Sequence, residues 1–193
     1  MKNKFLILAA VSTAIAAAVF GGRQWHAARR TQAAAQALAQ ADQWDPAARR
    51  AAHVMVERYG PPQETSASEL RWNGPPPWKR IVVQDEPQEP LEEVVTYPVT
   101  EKTLAALNRF PHGLSVYAAE GALGASSDRE YVNLLSLNLA DEIATGKITP
   151  EEANRYFVRT VRLREAGKSS PYTERLLFKN DNHIEPDNTF PIP

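Results

Sequence analysis

From Phe5 to Phe20 the chain runs FLILAAVSTAIAAAVF, sixteen residues without a charge. A segment that is apolar all round has no face to turn towards water, so at the extreme N-terminus it stands apart from any soluble core. Lys2 and Lys4 precede it and Gly21-Gly22-Arg23 follow, the arrangement of a secretory signal or signal anchor. Carried through Gly22 it makes about 18 residues, or ~27 Å of helix against a hydrocarbon layer of ~30 Å. Its eight larger apolar side chains, at roughly −0.5 kcal/mol each, give about −4 kcal/mol for insertion. The small residues Ala16-Ala17-Ala18 lie inside the run, and Val19-Phe20-Gly21 leads straight into Gly22-Arg23. Trp25 with Arg23, Arg29 and Arg30 supplies the aromatic and cationic flank of a retained helix. The expectation is a signal-anchor helix over residues 1–22 in a bacterial inner membrane, with the rest of the chain in the periplasm. The alternative is release to the periplasm after signal cleavage.

Charge is distributed unevenly. Residues 1–30 hold five basic groups and no acid, which leaves 17 Lys and Arg against 23 Asp and Glu beyond them, a formal charge near −6. An acidic body is repelled by phosphate backbones, so nucleic acid is excluded as a partner class. There is no cysteine, which excludes disulfides, thiolate catalysis, cysteine-bound zinc and a lipid-modified cysteine. With 43% hydrophobic and 23% charged residues the chain as a whole has the composition of one that folds, and the length beyond the N-terminal segment suits one domain.

Residues 23–43 are rich in Ala and Gln, with Leu38 the only sizeable apolar group between 31 and 43, which predicts a solvated helical spacer. The domain is expected over 44–178. Asp45-Pro46 is a helix start, with the carboxylate accepting from free amides and proline filling the first position, and Gly60-Pro61-Pro62 is its stop. Leu70 and Trp72 alternate with charged residues before NGPPP (73–77), and WKRIVVQ (78–84) returns with Ile81 and Val83 on one face, which predicts a hairpin. A loop over DEPQEPLEE (85–93) leads to a strand over 94–99, ended by Pro98. Thr100 caps a short helix, and 113–119 is a further strand. Helices follow from Asp128 to Gly146 and from the capping box Thr149-Pro150-Glu151-Glu152 to Gly167, with a short one over 170–178. Residues 179–193 read as an irregular tail. The fold class is α+β: a small antiparallel sheet packed with helices.

YGPP (59–62), PWKRIVV (77–83) and NLLSLNLADEIATGKITPEEA (133–153) together resemble a group of bacterial exported proteins without an assigned activity. The likeness covers residues 45–163. It implies export and a hairpin paired with helices, and it transfers no site residue.

The candidate chemistry is scattered. Gly121-Ala-Leu-Gly124-Ala-Ser-Ser127 sits between a strand and a helix, where phosphate can be held, but it lacks the lysine end of a P-loop and the third glycine of a dinucleotide fingerprint. An ordinary strand-to-helix loop is expected there. His26, His53, His112 and His183 have no ligand spacing, Ser115 lacks the glycines of a nucleophile elbow, and the acids 85–93 have no ordered spacing for Ca²⁺. Asn138, Asp141 and Glu142 read as the polar edge of an amphipathic helix. Two features remain as interaction candidates. Trp72 and Trp78 flank NGPPP, either as an aromatic shelf or packed across the hairpin. Arg155, Arg159 and Arg162 form an i, i+4, i+7 stripe for anionic lipid or an acidic partner, partly neutralised by Glu151 and Glu165.

The expected function is therefore binding or assembly in the envelope through an unidentified protein partner, without catalysis, metal or cofactor, and with the membrane contacted through the N-terminal segment. The alternative is a periplasmic hydrolase or small-ligand binder whose site is assembled from dispersed residues.

Overall fold

The computed structural model describes residues 27–179. The apolar run, His26, His183 and the tail beyond Lys179 lie outside the described residues. Among those that are described, no helix is long and apolar enough to cross a membrane.

Alternating side chains before and after the proline turn make the hairpin: β2 (Glu69–Asn73) pairs antiparallel with β3 (Arg80–Gln84), with Trp72 opposite Ile81. The short β1 (Glu64–Thr65) continues it outward, and the Pro76–Pro77 bond in the turn is cis. Strands β4 (Leu91–Thr96), β5 (Leu114–Tyr117) and β6 (Ala122–Ser127) complete a six-stranded antiparallel sheet ordered β1-β2-β3-β4-β6-β5. Among the described residues five helices accompany it: α1 over 27–41, α2 (Pro46–Tyr59), α3 (Glu101–Leu107), α4 (Glu130–Ala144) and α5 (Pro150–Glu165). The fold is α+β, with an antiparallel sheet as expected.

One face of the sheet carries the core. Leu70, Trp72, Ile81, Val83, Leu91, Val95, Leu123 and Ala125 join Met55 of α2 and Leu134, Leu135 and Leu139 of α4 in one buried cluster. The other face is polar. Arg80 bonds Glu120 at 2.9 Å and lies 4.6 Å over the Tyr117 ring, and Tyr117 donates to Glu92. Beneath these polar groups Val82 and Val94 are buried. Gly124 makes room for the ring, since a Cβ there would stand 3.0 Å from Tyr117.

Helix ends follow the local chemistry. Asp45 accepts from the Ala47 amide ahead of Pro46, and Thr149 and Glu152 close a reciprocal capping box before α5. These bonds satisfy amides that have no partner inside the helix.

Several expectations are corrected. Residues 122–127 form β6, hydrogen-bonded to both β4 and β5, in place of a strand-to-helix loop. The left-handed Gly121 (φ 58°) turns the chain back from a short 3-10 turn, and this sets the strand going. The strand expected over 94–99 begins at Leu91 and ends at Thr96, so Glu92 and Glu93 leave the acidic loop for the sheet. Helix α4 starts at Glu130 rather than Asp128, after Ser127 Oγ accepts from the Arg129 amide. The segment 170–178 holds only a 3-10 turn, Pro171–Thr173. Residues 31–41 are helical and mostly exposed, but one stripe is docked: Ala37 and Ala41 are fully buried in the same cluster as Ala48 and Ala52, and Trp44 Nε1 donates to Ala67 O. Small side chains one turn apart let helices approach closely, so an Ala-rich stripe with few large residues is enough to dock α1.

Candidate functional site

Helix α2 ends where α4 begins, and the pairing of two charged residues ties those ends together. Arg58 bonds Glu130, whose second oxygen accepts from Tyr59 Oη at 3.1 Å. Trp78 Nε1 in turn donates to Tyr59 Oη at 2.7 Å. Helix spacing explains the sharing, because Arg58 and Tyr59 form the last turn of α2 and Glu130 opens α4. Burial, followed by the charge of Glu130, raises the Tyr59 phenol above its ordinary range, so it stays a donor.

Beside this knot lies a cleft of about 450 Å³ between α2, the start of α4, the end of α5 and the turn at Pro171–Thr173. Ala51, Met55, Leu91 and Leu134 give it an apolar lining, and Arg50, Arg58, Arg129, Arg164, Asp128, Glu130 and Glu174 give it charge. Arg129 is held by Asp128 at 3.2 Å, and the Arg164 guanidinium lies 5.6 Å from the centre of the Tyr131 ring. Arg50 and Glu174 have no ion pair among the described residues. Among the described residues, the cleft thus combines an apolar lining with one anion, Glu174, and two cations, Arg50 and Arg164, that no acid pairs.

Behind the cleft sits a carboxyl group that no solvent reaches. Glu93 is fully buried, on the core side of β4 between Leu91 and Val95. Asn133 Nδ2 donates to Glu93 Oε2 at 3.1 Å and to Leu91 O at 3.0 Å. Glu93 Oε1 and Asn133 Oδ1 have no hydrogen-bond partner among the described residues. Burial first, and the neighbouring charge of Glu130 second, push the Glu93 carboxyl well above the usual range, against the opposing pull of Asn133 and Arg58. Glu93 does not line the cleft, so its proton is not offered to anything held there.

The expected interaction residues fall in two separate places. Trp72 and Trp78 are both buried, Trp72 Nε1 donating to Gly60 O at 2.9 Å. They fasten the hairpin to the end of α2. Trp78 also lines a recess of about 320 Å³ with Pro76, Pro77 and Tyr59. Arg155, Arg159 and Arg162 lie on the exposed side of α5, along a shallow groove of about 420 Å³ that includes Val158 and Leu163.

Other weighed residues are absorbed by structure. Asn138 Nδ2 donates to Tyr172 O and Arg175 O, and its Oδ1 accepts from the Leu177 amide. Asp141 accepts from Tyr97 Oη at 3.0 Å and Glu142 from Tyr172 Oη at 2.7 Å. His112 stacks on Phe157 at 3.6 Å and bonds Asn154, while His53 meets Asp42 at 2.9 Å. Ser115 is a residue of β5. No group of three or more His, Asp or Glu among the described residues is disposed to hold a metal.

Sequence reasoning missed Glu93 and the Arg58–Glu130 pair. The only signal for Glu93 is the alternation Leu91, Glu93, Val95, which becomes visible once a strand is allowed to start before Val94. No protein family, curated protein or solved structure matches this chain.

Proposed function

We propose that this chain is a binding domain of the bacterial envelope, held at the inner membrane by its N-terminal segment, which takes a segment of a partner protein into the α2–α4 cleft. The observation that carries this reading is the make-up of the cleft: an apolar lining of Ala51, Met55, Leu91 and Leu134, edged by charge. Its volume suits one or two large side chains. Most of the charged groups around it are already paired with one another, as Arg58 with Glu130 and Arg129 with Asp128. Groups held in that way recognise and orient, whereas proton transfer needs a carboxyl or imidazole free to reach the ligand. Arg50 and Glu174 remain for a partner's own charges.

The test puts a photo-crosslinking residue at Val54, an exposed position on the cleft, in the full chain in intact cells. A discrete protein adduct from position 54, absent from the same probe at Ser66 and lost in an Arg50→Glu variant, is expected. Equal labelling from both positions, or no adduct from either, overturns the reading. The rival, a small diffusible ligand in the same cleft, would leave position 54 without a protein adduct.

A further inference from the structure

Helix α5 has a second surface that the cleft does not use. Between Arg155 and Arg164 the sequence RYFVRTVRLR carries four arginines and no acid, in a body whose net charge is negative. Arg155, Arg159 and Arg162 stand one above another on the exposed side, at spacings of four and three residues. Glu152 lies near Arg155, but Arg159 and Arg162 have no ion pair among the described residues. Five large apolar side chains are exposed among the described residues, and three of them, Tyr156, Val158 and Leu163, belong to this helix. Val158 and Leu163 border the arginine line and share its shallow groove.

We propose that this face of α5 lies against an anionic bilayer, with the three guanidinium groups at the phosphates and Val158 and Leu163 in the headgroup layer. Unpaired arginines flanked by exposed aliphatic groups are what an interfacial helix presents to acidic lipid. An acidic protein segment would be met equally well by the charges, but the groove here is shallow and its aliphatic side chains flank the arginines, which suits a flat headgroup layer better than an inserted side chain. A tether that keeps the domain close to lipid raises the effective concentration of that surface, so a weak contact suffices. The proposal is independent of the cleft and shares with the proposed function only its place beside a membrane.

The test uses the absence of cysteine. A single Val158→Cys carries an environment-sensitive dye in the full chain, reconstituted into phosphatidylcholine vesicles with or without about 30% phosphatidylglycerol. Bromine-labelled lipid serves as quencher, and a Ser66→Cys dye is the control. Quenching at position 158 only with phosphatidylglycerol, and reversed at about 0.5 M salt where screening acts within a few ångströms, is expected. R155Q/R159Q/R162Q is expected to weaken the response about tenfold or more, with an unchanged melting temperature showing that the fold is kept. Equal quenching with both lipids, equal quenching at positions 66 and 158, or none at 158 overturns the proposal. So does protection of the dye by polyglutamate in a sample that lipid does not quench, which assigns the face to protein.

Discussion

Asn133 donates a hydrogen bond of 3.1 Å to Glu93, the one fully buried carboxyl among the described residues, and Glu93 Oε1 finds no partner there. A raised carboxyl pKa means that the folded chain holds a proton that the unfolded chain has released, wherever pH lies between the two values. The stability Glu93 contributes is whole below the ordinary carboxylate pKa and falls as pH climbs towards the raised one. Glu93→Gln keeps the shape without the ionisation. It is expected to stabilise the domain at pH 8 by on the order of 1–3 kcal/mol. The gain should shrink as pH is lowered towards 4.5, the ordinary value. Melting curves of both proteins from acid to alkaline pH check this, and parallel pH profiles would count against a neutral Glu93.

Asn138 clips the C-terminal stretch to α4 through three hydrogen bonds, to Tyr172 O, Arg175 O and the Leu177 amide. Asn138→Ala should cost about 3 kcal/mol in urea unfolding. It should also speed hydrogen exchange at Leu177 while leaving β2 and β3 protected. Asn138→Asp retains the acceptor and loses both donors, so its exchange at Leu177 should stay closer to that of the parent.

Two glycines with the same backbone handedness should respond differently to alanine. At Gly113 (φ 63°) an added Cβ would lie 2.1 Å from Ser126 O, whereas at Gly74 (φ 67°) nothing stands within 4 Å. Gly74→Ala then carries only left-handed strain, about 1–2 kcal/mol. Gly113→Ala must also part β5 from β6, and about 3 kcal/mol or more is expected. Denaturant midpoints of the pair provide the comparison.

Thr149→Ala removes the hydroxyl that accepts from the Glu152 amide, and should lower stability by about 1 kcal/mol. Circular dichroism at rising urea should show the first turn of α5 loosening without loss of the sheet signal.

Legibility followed the range of the interactions. The hairpin around NGPPP, the Asp45-Pro46 start and the Thr149 capping box depend on residues within a few positions of one another, and they appear where the local chemistry puts them. Glu93 depends on β3 and β6 lying on either side of it, since only pairing with Ile81 and Ala125 decides which way its side chain turns. Two adjacent glutamates after a proline-rich stretch read as solvated loop until that pairing is known. Strand β6 was hidden for a similar reason. ALGASS has weak strand propensity and is held by partners on both sides, with the Tyr117 ring filling the space above Gly124. The Ala-rich α1 lacked the large apolar stripe that marks a docked helix, although Ala37 and Ala41 are both buried. Of the expected interaction residues, both tryptophans went to the core because indole rings with a bonded N–H are favourable there. The cleft unites α2 with α4 and α5, which lie far from it in the chain.

Both rims of the sheet are short: β1 is two residues long and β5 is four. Asn73 Nδ2 reaches across to the Glu64 side chain at 2.8 Å, placing a carboxylate on the outer strand. Unpaired strand borders are where neighbouring copies zip together, and brief, charged ones offer little to zip. Copies that collide therefore find little extended backbone to join, which keeps crowding from turning into fibre growth.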